Sequence, residues 1–278
     1  MSTTVIALAL FAAVLHAGWN AFLRTGADRL WTVTVMSFSS TLIAIPMALF
    51  HALPEAGAWP YVALSACLQV GYSVFLVSAY RYGELGQVYP IVRGSVPLLV
   101  TLGGFLLAGQ QLTMPEIVGV ALVACGIMGL SLGRGRASST SILYALATGA
   151  IIAAYATVDA IGVRVAGGSV TYTAWVLLIY GAFLPATFIV LRGRLVVDPR
   201  APETRKALAG GLFALLAYAV VVAAFALGPA GPITAIRETS VVFAAFIGRF
   251  FLGEQLTPRR VGACAVVALG AICLGYQP

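Results

Sequence analysis

Apolar residues run along this chain in blocks of about twenty, and the short stretches between them hold most of the arginine. About twenty residues at 1.5 Å each cross the hydrocarbon core of a bilayer as a helix. Cutting at charged residues, prolines and glycine clusters predicts ten such spans: 3–24, 31–52, 59–80, 86–108, 115–133, 141–163, 170–191, 207–227, 231–252 and 259–276. Most connections are very short, LGPAGP (227–232) among them, so neighbouring helices run antiparallel. The blocks are too long for strands and lack alternating polar positions, which predicts an all-α membrane fold.

Composition agrees. Of 278 residues, 61% are hydrophobic and 9% charged, with a mean hydropathy of +1.00. A soluble domain carries about 25% charged residues. A soluble enzyme, a nucleic-acid binder and a disordered chain are thereby excluded. The net charge of +7 comes almost wholly from arginines placed between the apolar blocks, as expected of anchors to the cytoplasmic leaflet. Cys67, Cys125, Cys264 and Cys273 sit in apolar blocks without C-x-x-C spacing and are expected to be buried thiols, neither disulfides nor metal ligands. The segment MSTTVIALALFAAVLHAGW has no basic n-region and reads as a retained first helix.

The charges also order the spans. Loops after spans 1, 3, 5, 7 and 9 hold Arg24, Arg29, Arg81, Arg134, Arg136, Arg192, Arg194, Arg200, Arg205, Lys206, Arg259 and Arg260, with Arg249 at the margin. The termini and the remaining loops hold Arg164 alone. By the positive-inside rule the basic loops are cytoplasmic and both termini lie on the outer side.

The chain resembles itself. AGQQLTMPEIVGVALVACG (108–126) matches LGEQLTPRRVGACAVVALG (252–270), and IVRGS (91–95) matches AIRETS (235–240), placing Arg93 over Arg237 at an offset of 144. HAGWNAF (16–22) lies over YATVDAI (155–161), placing Asn20 over Asp159. Residues 1–133 and 142–278 thus form two five-helix repeats around a polar linker, 134–141. Five is odd, so the second repeat enters the membrane inverted. Inverted repeats around one central site are a transporter architecture.

Ten helices in two halves, each closing on G-E/Q-x-L-T and a glycine-rich helix, resemble the EamA type of the drug/metabolite transporter superfamily. LGEQLT (252–257) and Pro97-Leu-Leu-Val-Thr carry the resemblance most specifically. Gln110 stands where such repeats usually carry Glu, as at Glu254, and relatives commonly keep both termini in the cytoplasm. The resemblance implies a polytopic inner-membrane carrier for small metabolites, amino-acid efflux foremost, working by alternating access.

Ionisable residues in mid-membrane cost about 2.5–3.5 kcal/mol each and need a reason. His16, Trp19, Asn20 and Leu23 share one face of span 1, and Tyr155, Asp159 and Gly162 the equivalent face of span 6. They form either a substrate wall, with Asp159 and His16 as proton-coupling candidates, or an interhelical packing network. Arg93 and Arg237 lie seven and six residues past their predicted helix starts, about 10 Å deep. They either snorkel or offer paired guanidinium forks to a carboxylate or phosphate. Glu238 follows Arg237, and adjacent helical residues do not face each other, so it is expected to pair with another helix or face the cavity, as a third proton-coupling candidate.

Gln69, Tyr72, Ser73, Leu76 and Tyr80 form a stripe on span 3. Tyr89, Tyr218 and Phe225 add candidate contacts from spans 4 and 8. Trp31, Trp59 and Trp175 read as interfacial anchors, Pro90, Pro97 and Pro185 as kinks, and Gly129-x-x-x-Gly133 as a close helix contact or homodimer seam. A cavity lined by spans 1, 3, 4, 6, 8 and 9 is expected, with 5 and 10 outside it. A zwitterion fits this chemistry, with Arg93 or Arg237 for a carboxylate and Asp159 or Glu238 for an ammonium. A sugar-phosphate or phosphonate carrier and a non-transporting scaffold are the alternatives. No ATP loop or H-E-x-x-H motif occurs, so no cofactor, metal or enzymatic activity is expected. The expected partners are the bilayer and a small-molecule substrate, with the chain a monomer or homodimer.

Overall fold

The computed structural model describes residues 1–24, 28–82, 85–131, 138–251 and 257–276. It is a bundle of helices: α1 Thr3–Arg24, α2 Arg29–Phe50, α3 Trp59–Tyr82, α4 Leu85–Ala108, α5 Met114–Gly129, α6 Ser139–Gly162, α7 Ser169–Arg192, α8 Pro202–Leu227, α9 Ala230–Arg237, α10 Ser240–Phe251 and α11 Pro258–Gly275. Among the described residues there is no strand. Eight of these helices are long and apolar enough to cross a membrane. The fifth span is the shorter apolar helix α5, of 16 residues. The ninth is broken into α9 and α10.

Local chemistry starts the helices where the sequence changes from polar to apolar. Asp28 caps α2, accepting from the backbone N–H of Leu30 at 3.0 Å and Trp31 at 3.2 Å. The threonine of the repeated Q-L-T motif caps the last helix of each half. Thr113 forms a capping box with Glu116 on α5, and the Thr257 hydroxyl accepts from the Arg260 N–H on α11. The Gln110 amide oxygen accepts from the Ala230 N–H at 3.1 Å, so this departure from the family pattern caps α9. The isolated Arg164 closes the other end of α8, donating to the carbonyls of Phe225 and Gly228.

Packing repeats the internal symmetry. The repeat exchanges α1 with α6 and α3 with α8, and the pairs α1–α8 and α3–α6 both pack closely. Helices that the repeat maps onto each other also touch: α2 on α7, α4 on α9, and α5 on α11. In a bilayer such contacts rest on close approach of small residues. A Cβ on Gly119 would come 2.8 Å from the Gly270 carbonyl, and one on Gly126 would come 2.9 Å from Val267. The expected contact at Gly129 is absent, with nothing within 4 Å of its Cβ position, and Gly133 lies outside the described residues. The glycines that matter lie one and three turns earlier, where α5 crosses α11.

One further expectation changes. Cys67 and Cys125 are exposed and Cys264 and Cys273 half-buried, because an apolar position on a membrane helix can face acyl chains as readily as the protein interior. Pro90 and Pro97 sit within α4, which runs unbroken from Leu85 to Ala108, and the break in span nine falls at Glu238 and Thr239. Trp31 donates to the Val196 carbonyl at 2.9 Å, and Trp59 meets Trp175 edge-on at 5.0 Å, so these indoles tie elements together.

Candidate substrate site

α4 and α9 enter the bundle from opposite faces and pack on each other, so arginines about two turns into each can meet in the middle. They meet around Glu238. Arg93 Nη1 donates to Glu238 Oε1 at 3.3 Å, and Arg237 Nη2 donates to the same oxygen at 2.9 Å. Glu238 is 0% exposed, Arg93 4% and Arg237 6%. Neither arginine snorkels. Two guanidinium groups and one carboxylate leave the cluster with one net positive charge.

Adjacent helical residues were expected not to face each other, yet Arg237 and Glu238 pair. The helix ends between them: Glu238 is the cap residue of α9, and α10 begins at Ser240. Arg237 therefore lies in the last turn of one half-helix, and Glu238 just ahead of the first turn of the next. Each end carries the charge that its dipole favours.

Arg93 is held on two further sides. Its guanidinium lies over the Tyr89 ring at 5.3 Å, and Nη2 contacts His16 Nε2. Trp19 Nε1 donates to His16 Nδ1 at 3.0 Å. Both neighbours of the imidazole are donors, and a neutral imidazole has one acceptor nitrogen. Arg93 and Trp19 thus compete for one lone pair.

Beside this cluster lies a cavity of about 120 Å³. His16 and Trp19 of α1, Gln69 and Tyr72 of α3, Tyr155 of α6, Tyr218 of α8 and Arg237 of α9 line it. Arg237 is the one Arg, Lys, Asp or Glu among the described lining residues. α2 also contributes Val33, Met36, Ser37 and Ser40, and α7 contributes Leu177 and Tyr180, two walls the expected set of spans omits. The serine pair, three residues apart in the hydroxyl-rich run SFSST, is the signal that could have found α2. α5 and α11 do stay outside the described wall.

Asp159 lies behind Tyr218, outside the described lining residues. Its Oδ1 accepts from the Tyr172 hydroxyl at 2.9 Å and its Oδ2 from the Tyr218 hydroxyl at 3.0 Å. Gln69 Nε2 donates to Tyr218 at 3.2 Å and to Ser65 at 3.0 Å. This knot joins α3, α6, α7 and α8. Gly162 makes room for it, since a Cβ there would lie 2.6 Å from the Tyr172 ring. Its repeat mate behaves differently: Asn20 donates to the His16 carbonyl of its own helix at 2.7 Å. Ser73 is within 3.3 Å of the Tyr180 hydroxyl, and Phe225 is buried in the core. The side chains of Leu23 and Tyr80 lie outside those described.

No curated protein matches the chain by sequence. A solved structure described as "Crystal structure of protein" shares the fold, with a TM-score of 0.76 at 19% identity, covering 98% of this chain and 95% of that one. One family matches each half separately, over residues 3–132 and 139–276, as the paired helices and mated arginines require. A ten-span bundle built of two such halves around a central cavity belongs to the EamA-like transporter family.

Proposed function

We propose that the chain is a secondary carrier that moves a small carboxylate-bearing metabolite by alternating access, with amino-acid efflux as its leading activity. The observation that carries this reading is the Arg93–Glu238–Arg237 cluster, with one uncompensated positive charge, beside a cavity that Arg237 lines. A substrate anion supplies the missing negative charge, and Arg237 is the group that can offer it a planar fork. The aromatic and apolar wall of Tyr72, Tyr155, Met36 and Leu177 suits an apolar remainder. Inverted halves of similar build can rock about the cavity and present it to either side.

A second reading is exchange of an organic anion such as a sugar phosphate or phosphonate, favoured by the pairing of two repeat-related arginines on one carboxylate. In both readings the chain sits in the inner membrane with its basic loops in the cytoplasm and both termini outside. Counterflow in proteoliposomes preloaded with unlabelled amino acids, sugar phosphates or nucleosides tests the function. Accumulation of a labelled amino acid is expected. Exchange confined to phosphorylated compounds selects the second reading, and silence of folded protein across the panel removes both.

A further inference from the structure

Two polar atoms in the central cluster lack partners among the described residues, and they belong to consecutive residues. Arg237 Nε is a donor without an acceptor, and Glu238 Oε2 an acceptor without a donor. The other buried side-chain atoms in this condition are on uncharged hydroxyl, amide and indole groups. Leaving such an atom unpaired is unfavourable, and more so on a charged group. Here a donor and an acceptor on charged groups are unpaired together, and the two groups are already joined through Arg237 Nη2 and Glu238 Oε1 at 2.9 Å. One ligand satisfies both if it carries an anionic acceptor and a donor on neighbouring atoms.

The internal repeat says how many such seats exist. At the offset that places Arg93 over Arg237, Glu238 falls on Gly94. No acid fits there in this packing, because a Cβ on Gly94 would meet Met128 and lie 3.0 Å from the Ala124 carbonyl. The two arginines therefore share one acid. Arg93 is already committed to Glu238, His16 and the Tyr89 ring. Among the described residues the unpaired charged donor and acceptor occur together only at the break between α9 and α10.

Asp159 offers no rival partner for a substrate amine. Both its oxygens accept tyrosine hydroxyls, and Tyr218 stands in front of it on the wall. Glu238 is fully covered, so a ligand reaches it by way of Arg237, which lies on the wall.

We propose that Arg237 and Glu238 form one seat per chain for an α-amino or α-hydroxy carboxylate, with the carboxylate on the Arg237 Nε edge and the α-donor on Glu238 Oε2. The proposal rests on the carrier reading above and narrows its substrate class: a plain carboxylate leaves Glu238 Oε2 unpaired, and a plain amine leaves Arg237 Nε unpaired. The rest of the substrate lies against Met36, Leu177 and Leu215.

Four probes with one branched carbon skeleton test it by calorimetry on the purified full-length protein: L-leucine, 2-hydroxy-4-methylpentanoate, 4-methylpentanoate and 3-methylbutylamine. The first two are expected to bind at least about tenfold more tightly than the last two, each of which lacks one charge-assisted bond. Glu238→Gln is expected to weaken L-leucine about tenfold while changing the hydroxy acid less, because the lost charge served the ammonium. Arg237→Lys is expected to weaken both acids together. If Glu238→Gln fails to melt as a folded protein, the ranking of the four probes on the wild type decides alone. Equal binding of 4-methylpentanoate and the hydroxy acid overturns the seat. So does failure of all four probes with a protein that shows counterflow of some other compound, which leaves the carrier reading standing. Absence of counterflow across the whole panel removes the carrier reading with it.

Discussion

At the residue scale the molecule solves one problem twice, by different means. A charged side chain in mid-membrane is expensive unless it finds a partner or faces water. Arg93, Arg237 and Glu238 find each other, and Asp159 finds two tyrosine hydroxyls. Of these four charged residues, Arg237 is the one among the described lining residues of the cavity. Arg237→Lys keeps the charge but loses the planar fork, so counterflow is expected to fall about tenfold while the thermal unfolding midpoint of the detergent-solubilised protein holds. Tyr218→Phe leaves Asp159 Oδ2 without its donor. It is expected to destabilise the protein by about 1–3 kcal/mol, read as a lowered midpoint in the same melt. A midpoint unchanged by Tyr218→Phe would mean that the knot holds nothing together. The arginines and Asp159 were visible in the sequence as charges in apolar blocks. Their partners were not, because Tyr172 and Tyr218 lie 13 and 59 residues from Asp159 and only packing brings them together.

At the element scale, span boundaries were legible because bilayer thickness and end caps both leave marks in sequence. α1 begins and ends where the apolar block does, and the helices of the other unbroken spans begin and end within five residues of theirs. The break between α9 and α10 was not legible. Prolines were read as kinks, and α4 runs unbroken through two of them, while the interruption falls at a polar run, Arg-Glu-Thr-Ser (237–240). A small-residue pattern likewise shows where helices can approach, and packing chooses where they do: α5 meets α11 at Gly119 and Gly126. Gly119→Val would drive a side chain into Leu274 and the Gly270 carbonyl, and is expected to cost about 1–3 kcal/mol. Gly129→Ala meets open space and is expected to be neutral or slightly stabilising. Thermal melts of the two variants side by side check the contrast; equal losses would place the seam elsewhere.

At the scale of the whole molecule, the inverted repeat accounts for both the bundle and its exceptions. Each half supplies an arginine to the centre, and only the second supplies the acid, since Gly94 holds the position that Glu238 holds in the other half. A two-fold frame with a one-sided site suits a carrier that must look alike from both faces yet hold one substrate. The basic loops give such a frame its orientation. A cysteine added at the C-terminus of a protein lacking Cys67, Cys125, Cys264 and Cys273 is expected to react with a membrane-impermeant maleimide in intact cells. Reaction only after permeabilisation would reverse the topology and match the orientation usual among relatives.

Alternating access requires the cavity to open in turn to the two faces. Ser40 lines it from α2. In the cysteine-free background, Ser40→Cys is expected to react with an impermeant methanethiosulfonate both in intact cells and in inverted membrane vesicles. Reaction from one side alone, at every substrate concentration, would contradict alternating access and leave a one-sided binding pocket.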